Sequence, residues 1–240
     1  MRVAVLSDIH ANLVALDAVV ASLRSVDAIW HLGDVVGYGP EPDGVVERLR
    51  SLGAIGVRGN HDAAAVGDLD VDWFNPDARA AIEWTRRRIG DPTRAWLAAL
   101  PERHAEGDFS LVHGSPRDPT WEYIVSLPIA RANLAFLATQ FGLYGHTHQP
   151  MVWAEHDGQV EQIAPANGST FALDHRRALV NPGSVGQPRD GILSASYLVI
   201  DTTAGTSTWH RAAYDIPAVQ AAMIDAGLPR RLVERLAFGA

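Results

Sequence analysis

Two residue types are missing from this 240-residue chain. It has no cysteine, and all 20 of its basic side chains are arginine, so it has no lysine. Without cysteine there is no disulfide, no thiolate metal site and no cysteine nucleophile. Without lysine there is no P-loop, no Schiff base and no kinase-type ATP lysine. Long apolar runs are missing too. The first, Val3–Leu6, is too short for a secretory signal and meets Ser7 and Asp8 at once. The stretch 132–154 holds no acidic residue or arginine, but His146, His148, Gln149 and Pro150 break it. A soluble, cytoplasmic protein without a membrane segment is expected. A formal charge of −8 argues against stable binding of nucleic acid by phosphate neutralisation, and leaves a nucleotide open as a small substrate.

The 47% of hydrophobic residues suffices for a sizeable core. No internal repeat or low-complexity linker divides the chain, so one domain over 1–240 is expected, closing with a short helical segment at about 217–237. Val3–Leu6 reads as a strand buried on both faces, followed by Asn12 as the cap of a helix reaching Arg24. Further strands are expected at Ala28–Leu32 and Ala54–Val57, with a helix near Asp43–Leu52 between them. This order implies parallel strands with helical crossovers. Asn75-Pro76 and Asp91-Pro92 read as helix starts, and a further helix is expected near Pro128–Gln140. Hairpins are expected around Gly107-Asp108 and Asp157-Gly158. The first half thus reads as α/β, and the mostly antiparallel second half as a second sheet.

Five strands end in hard or borderline metal ligands. The segments are Asp8-Ile9-His10, Gly33-Asp34, Gly59-Asn60-His61-Asp62, His113-Gly114 and Gly145-His146-Thr147-His148. In open α/β sheets the carboxyl edge of the strands is where ligands bind. Carboxylate, amide carbonyl and imidazole together suit Mn, Fe, Zn, Ni or Co and exclude a soft-metal preference. So many ligands exceed the needs of one ion and suit two ions sharing a bridging carboxylate.

In this order, DIH, GDVVGYG, RGNHD, HG and GHTH resemble the calcineurin-like metallophosphoesterase superfamily, and within it the small bacterial and archaeal phosphoesterases. The likeness runs from Asp8 to His148 and extends to the Asn181–Gly186 segment NPGSVG, about three quarters of the chain. It implies a four-layer αββα sandwich of two mixed sheets flanked by helices. It implies two divalent ions, Mn being the one expected to support activity. Asp8, His10 and His148 would bind the first, Asn60, His113 and His146 the second, and Asp34 would bridge them. A metal-bridging hydroxide would attack phosphorus. His61 would be the acid or phosphate-contacting group, with Asn60 beside it at the substrate.

The chain departs from the protein phosphatases of that superfamily, which carry an acidic residue and then arginine inside the second motif. Gly37 and Tyr38 stand there instead. Gly37 cannot orient an imidazole, and Tyr38 cannot clamp a phosphate with a fork of donors. Trp121 and Tyr123 follow closely on His113 and are placed to stack on a base or aryl group, or to pack as ordinary core. Arg117 reads as a surface ion pair rather than a phosphate contact. GSVG at Gly183–Gly186 lacks the spacing of a serine-hydrolase elbow and reads as a backbone turn beneath the metal site.

The expected activity is a phosphodiesterase on small aryl or nucleotide esters. The alternatives are a dinucleoside polyphosphate hydrolase, a phosphomonoesterase or protein phosphatase, and a non-catalytic binding module of the same fold. A binding module has no need of the full ligand set plus His61. The sequence leaves homo-oligomerisation open.

Overall fold

A computed structural model describes residues 1–240. The first part runs β1 (Arg2–Leu6), α1 (Leu13–Ser22), β2 (Ala28–His31), α2 (Pro42–Ser51), β3 (Ile55–Gly56) and α3 (Asn60–Val66). A single 3₁₀ turn, Val71–Trp73, leads to α4 (Pro76–Arg88) and α5 (Asp91–Ala99). Then come β4 (Arg103–Glu106), β5 (Phe109–Val112), α6 (Leu127–Phe136), β6 (Phe141–Leu143), β7 (Met151–His156) and β8 (Gln159–Ile163). The chain ends with β9 (Thr170–Ala172), β10 (Arg177–Asn181), β11 (Ala195–Asp201), β12 (Thr206–Ala212), α7 (Ile216–Asp225) and α8 (Arg230–Arg235).

Two six-stranded mixed sheets result, ordered β3-β2-β1-β11-β12-β9 and β4-β5-β6-β10-β7-β8. β1, β2 and β3 are parallel, as are β5, β6 and β10. The period of two along β1 explains the layering. Val3 and Val5 point into a core shared with Phe109, Leu111, Leu143 and Val180 of the other sheet. Ala4 and Leu6 point the other way, against Leu16 and Val19 of α1 and Val46 and Leu49 of α2. On the far side, Ala130 and Leu134 of α6 cover Leu179 and Trp153. The layers are therefore helix, sheet, sheet, helix. No helix is long and apolar enough to cross a membrane.

The two halves of the chain do not form separate sheets, which corrects the sequence reading. Residues Val3–Leu6 are fully buried, so β1 needs a partner on each edge. β2 takes one edge. β11, itself a buried apolar run, takes the other in antiparallel register, Val3 opposite Ile200. β12 and β9 follow it into the first sheet.

Most local expectations hold. Asn12 and Asn75 cap α1 and α4 through Ala15 N and Ala78 N, each at 3.0 Å. The Asp157-Gly158 turn joins β7 to β8 with φ of 49° and 73°, the primed hairpin form. Helix α6 stops at Phe136, short of Gln140, because Leu137 turns extended and packs into the core cluster with Leu134 and Leu179. Helix α3 stands where Gly59-Asn60-His61-Asp62 reads as a turn. Its C-terminal carbonyls are capped by arginines: Arg86 Nε donates to Ala64 O (2.6 Å) and Arg94 Nη1 to Ala65 O (3.3 Å).

Candidate metal centre and active-site cleft

The loops after β1, β2, β3, β5 and β6 meet at one edge of the sandwich. Their conformation is costly. Asp8, His10, Asp34, His146 and His148 all lie in the left-handed region, with φ between 49° and 65°. Each such residue costs on the order of 1–3 kcal/mol and persists only where its surroundings over-determine it. Here they do. His10 N donates to Asp34 O (2.9 Å), Val185 N to Ser7 O (2.9 Å) and Gly186 N to Asp8 O (3.0 Å). Ser184 Oγ also donates to Asp8 O at 2.8 Å. The Gly183–Gly186 segment is thus the turn expected beneath the site.

Backbone carbonyls fix three imidazoles. His10 Nδ1 faces Val36 O (3.2 Å), His113 Nδ1 faces Leu32 O (2.8 Å) and His148 Nδ1 faces Gln187 O (2.6 Å). A carbonyl only accepts, so each Nδ1 carries the proton and each Nε2 presents a lone pair. Yet His10 Nε2 and His148 Nε2 stand 3.1 Å apart, and Asn60 Oδ1 stands 3.1 Å from His113 Nε2. Acceptor set against acceptor is repulsive unless a cation lies between them. Without one, the Asn60 amide would turn over to donate to His113 and Asp34. The donor set and its tautomers fit divalent metal ions.

Ligand atoms converge in three trios, each within 4.8 Å: Asp8, His10 and His148; Asp34, His113 and His146; and His10, Asp34 and His61. Asp34 joins them. Its Oδ1 accepts from His61 N at 2.9 Å. Its Oδ2 faces His10 Nε2 at 3.7 Å and His113 Nε2 at 3.4 Å. Gly59 permits this, since a Cβ there would lie 2.1 Å from Asp34 Oδ1. All seven residues named from the strand ends therefore come together: Asp8, His10, Asp34, Asn60, His113, His146 and His148.

Burial sets their protonation. It pushes Asp8 up to about 7, against the His113 charge. It holds His10, His146 and His148 well below the usual histidine range, in the neutral form that binds metals. Burial opposes protonation of His113 as well, but without a cation the Asp34 carboxylate overcomes it and raises His113 to about 9; a cation beside Nε2 would take the place of that proton.

His61 is the second residue of α3. Asp62 does not orient it: the Asp62 carboxylate accepts from Gly59 N and Val36 N, each at 3.0 Å. The His61 Nδ1 has no hydrogen-bond partner. The ring is held by packing instead, 4.4 Å from Tyr38, 4.9 Å from His10 and 5.2 Å from Phe74 between centroids. Gly37, at φ +88°, lies beneath it, and a Cβ there would fall 2.4 Å from Nδ1. Burial lowers His61 to about 4.

A cleft opens over these groups. Trp121 and Tyr123 line it, joined by Trp73 and Phe74, which sequence reasoning missed. Tyr123 stacks on His146 (3.8 Å, 28°), while Trp121 lies 4.9 Å from Phe74 and 5.8 Å from Trp73. Arg189 is the other omission. It lines the cleft with Asp34, His61 and His148, and its guanidinium lies over the Tyr38 ring at 5.9 Å. Its one sequence signal is position, three residues beyond the NPGSVG turn. Arg117 pairs with Glu122, as expected, and is not among the cleft residues.

The chain resembles a protein of Methanocaldococcus jannaschii, at 36% identity over 99% of this chain and 98% of that one. It resembles the crystal structure of a metallophosphoesterase from Sphaerobacter thermophilus, at 46% identity and TM-score 0.92, covering 100% and 99% of the two chains. A symmetrical bis(5'-nucleosyl)-tetraphosphatase of Aromatoleum aromaticum is 32% identical over 48% of this chain and 42% of its own. The calcineurin-like phosphoesterase superfamily domain matches residues 1–205. The chain belongs to that superfamily and is a metal-dependent phosphoester hydrolase.

Proposed function

We propose that this protein hydrolyses small phosphate esters with an aromatic leaving group, aryl or nucleotide, at a centre for two divalent ions. The observation that carries this reading is Asp34 Oδ2, which faces imidazoles of both ligand sets at 3.7 and 3.4 Å. Asp8, His10 and His148 would hold one ion and Asn60, His113 and His146 the other, with Asp34 shared. When bound, the ions, Mn the first to test, supply Lewis-acid charge to phosphate oxygens and ease deprotonation of the attacking water.

The protein's own groups do the rest. Water oxygen forms a bond to phosphorus while the bond to the leaving oxygen breaks. His61, which lines the cleft beside Asp34, would place a proton on that oxygen; a phosphate anion beside the ring would raise its pKa from the buried value. Trp121, Phe74 and Trp73 offer flat apolar faces to the leaving group. A dinucleoside polyphosphate is the second reading, supported by the activity named for the Aromatoleum relative, although the match spans less than half of that protein.

The test is elemental analysis with turnover. Reconstituted protein should hold two ions per chain and hydrolyse an aryl ester, and chelator should abolish turnover. Full activity with one ion at saturation would overturn the two-ion reading.

A further inference from the structure

Arg189 is a cation without a counter-ion in the lining of the cleft. No carboxylate lies within ion-pair distance of it. Its Nη2 donates to Gln187 Oε1 at 2.8 Å, and its buried Nε has no partner at all. An unpaired buried donor costs stability. The placement is specific. Tyr38 occupies the position where the protein phosphatases that the second motif resembles carry an arginine, and the Arg189 guanidinium lies over the Tyr38 ring, 5.9 Å from its centroid. A fork of donors thus reaches the same region from a different loop.

Its support is built, not incidental. Gln187 N donates to Ser184 Oγ (2.8 Å), and Gln187 O accepts from His148 Nδ1 (2.6 Å). The same residue's Oε1 accepts from Arg189 Nη2 and, at 3.3 Å, from Arg235 Nη1. One glutamine therefore fixes a proposed metal ligand through its backbone and Arg189 through its side chain. Arg235 lies on α8, outside the residues 1–205 matched by the superfamily domain.

We propose that Arg189, held by the Gln187 side chain that Arg235 also bonds, binds an unesterified phosphate oxygen of the substrate. A diester has two such oxygens, both of which ions held at the centre would engage. A monoester has a third, and a polyphosphate has more on its neighbouring phosphate. The enzyme should therefore favour these more highly charged substrates over a simple diester. This rests on the phosphoesterase reading above, and it reverses the ranking that the missing arginine of the second motif suggested.

The experiment compares Mn-loaded wild type with Arg189→Ala, Arg189→Lys and Arg235→Ala. Inorganic phosphate is titrated calorimetrically. KM and kcat are measured for an aryl monoester, the matching bis-aryl diester and a dinucleoside polyphosphate. Losing a charged hydrogen bond should weaken phosphate binding about 10- to 100-fold in Arg189→Ala, at unchanged metal content. KM should rise by a similar factor for the monoester or the polyphosphate, and much less for the diester. A larger rise for the polyphosphate assigns Arg189 to the neighbouring phosphate, and a larger rise for the monoester to the scissile one. Arg189→Lys should recover part of the loss, and Arg235→Ala should raise KM a few-fold without lowering kcat. Unaltered phosphate affinity in Arg189→Ala, or an equal rise for diester and monoester, overturns the proposal. If Arg189→Ala does not fold, Arg189→Lys carries the test. If the wild type hydrolyses no ester, the phosphoesterase reading fails on its own, and the phosphate titration still judges Arg189.

Discussion

The His61 ring rests on the ring of Tyr38, 4.4 Å between centroids, with no hydrogen bond to its Nδ1. Its orientation is a packing property, where a carboxylate partner would have made it an electrostatic one. Removing the imidazole should therefore cost chemistry rather than fold. For His61→Ala we expect kcat to fall about 10²- to 10⁴-fold if the ring is a general acid, with both ions retained. The loss should shrink for leaving groups that need no proton. His61 also lies in a trio with His10 and Asp34, so elemental analysis decides between roles. Loss of one ion would make it a ligand.

Gly37 tests the same relationship from beneath. A Cβ at this position would lie 2.4 Å from His61 Nδ1, on a backbone at φ +88°. Gly37→Ala must displace the imidazole and strain the turn, costing about 1–3 kcal/mol of stability. We expect a lower kcat with near-normal metal content. Wild-type kcat in Gly37→Ala would show that the ring's position is unimportant.

Asp34→Asn should lower metal occupancy and activity together. The Asp34 Oδ1 accepts from His61 N, so an amide keeps its oxygen there and turns its NH₂ toward His10 and His113. That places two donors where a cation would be shared. Occupancy of both sites at the wild-type level would remove Asp34 from the bridging role.

The clustering of the candidate ligands was legible because each residue follows an apolar run, and parallel strands put their carboxyl ends on one side. The fold was legible to the same depth and no further. That Val3–Leu6 needs a partner on both edges follows from its burial, but nothing local in Ala195–Asp201 announces that it will pair there. Helix α3 was hidden because Gly59-Asn60-His61-Asp62 reads as a turn, and the three alanines after it make only a short helix. Arg189 was hidden for a different reason. One arginine in a loop after proline looks like any surface arginine until the fold brings Tyr38 under it. Trp121 is marked in the sequence by its nearness to His113; Trp73 and Phe74 have no such anchor.

The aromatic wall divides into two parts that should respond differently to truncation. Tyr123 stacks on His146 at 3.8 Å and so holds a proposed ligand. Trp121 touches Phe74 and Trp73, and Trp73 is 72% exposed, an unusual position for so large an apolar ring. A base lying against Trp121 would cover that surface. Aromatic pairing is worth roughly 0.5–1.5 kcal/mol beyond burial, so Trp121→Leu should raise KM about 2- to 10-fold for a nucleotide ester. The rise should be smaller for a phenyl ester and smallest for an alkyl ester. Tyr123→Leu should instead lower kcat for all three, because the ring it removes positions His146. Steady-state kinetics across the three esters separates these patterns. An equal effect of Trp121→Leu on all of them would reduce the wall to packing and leave the leaving group to be recognised elsewhere.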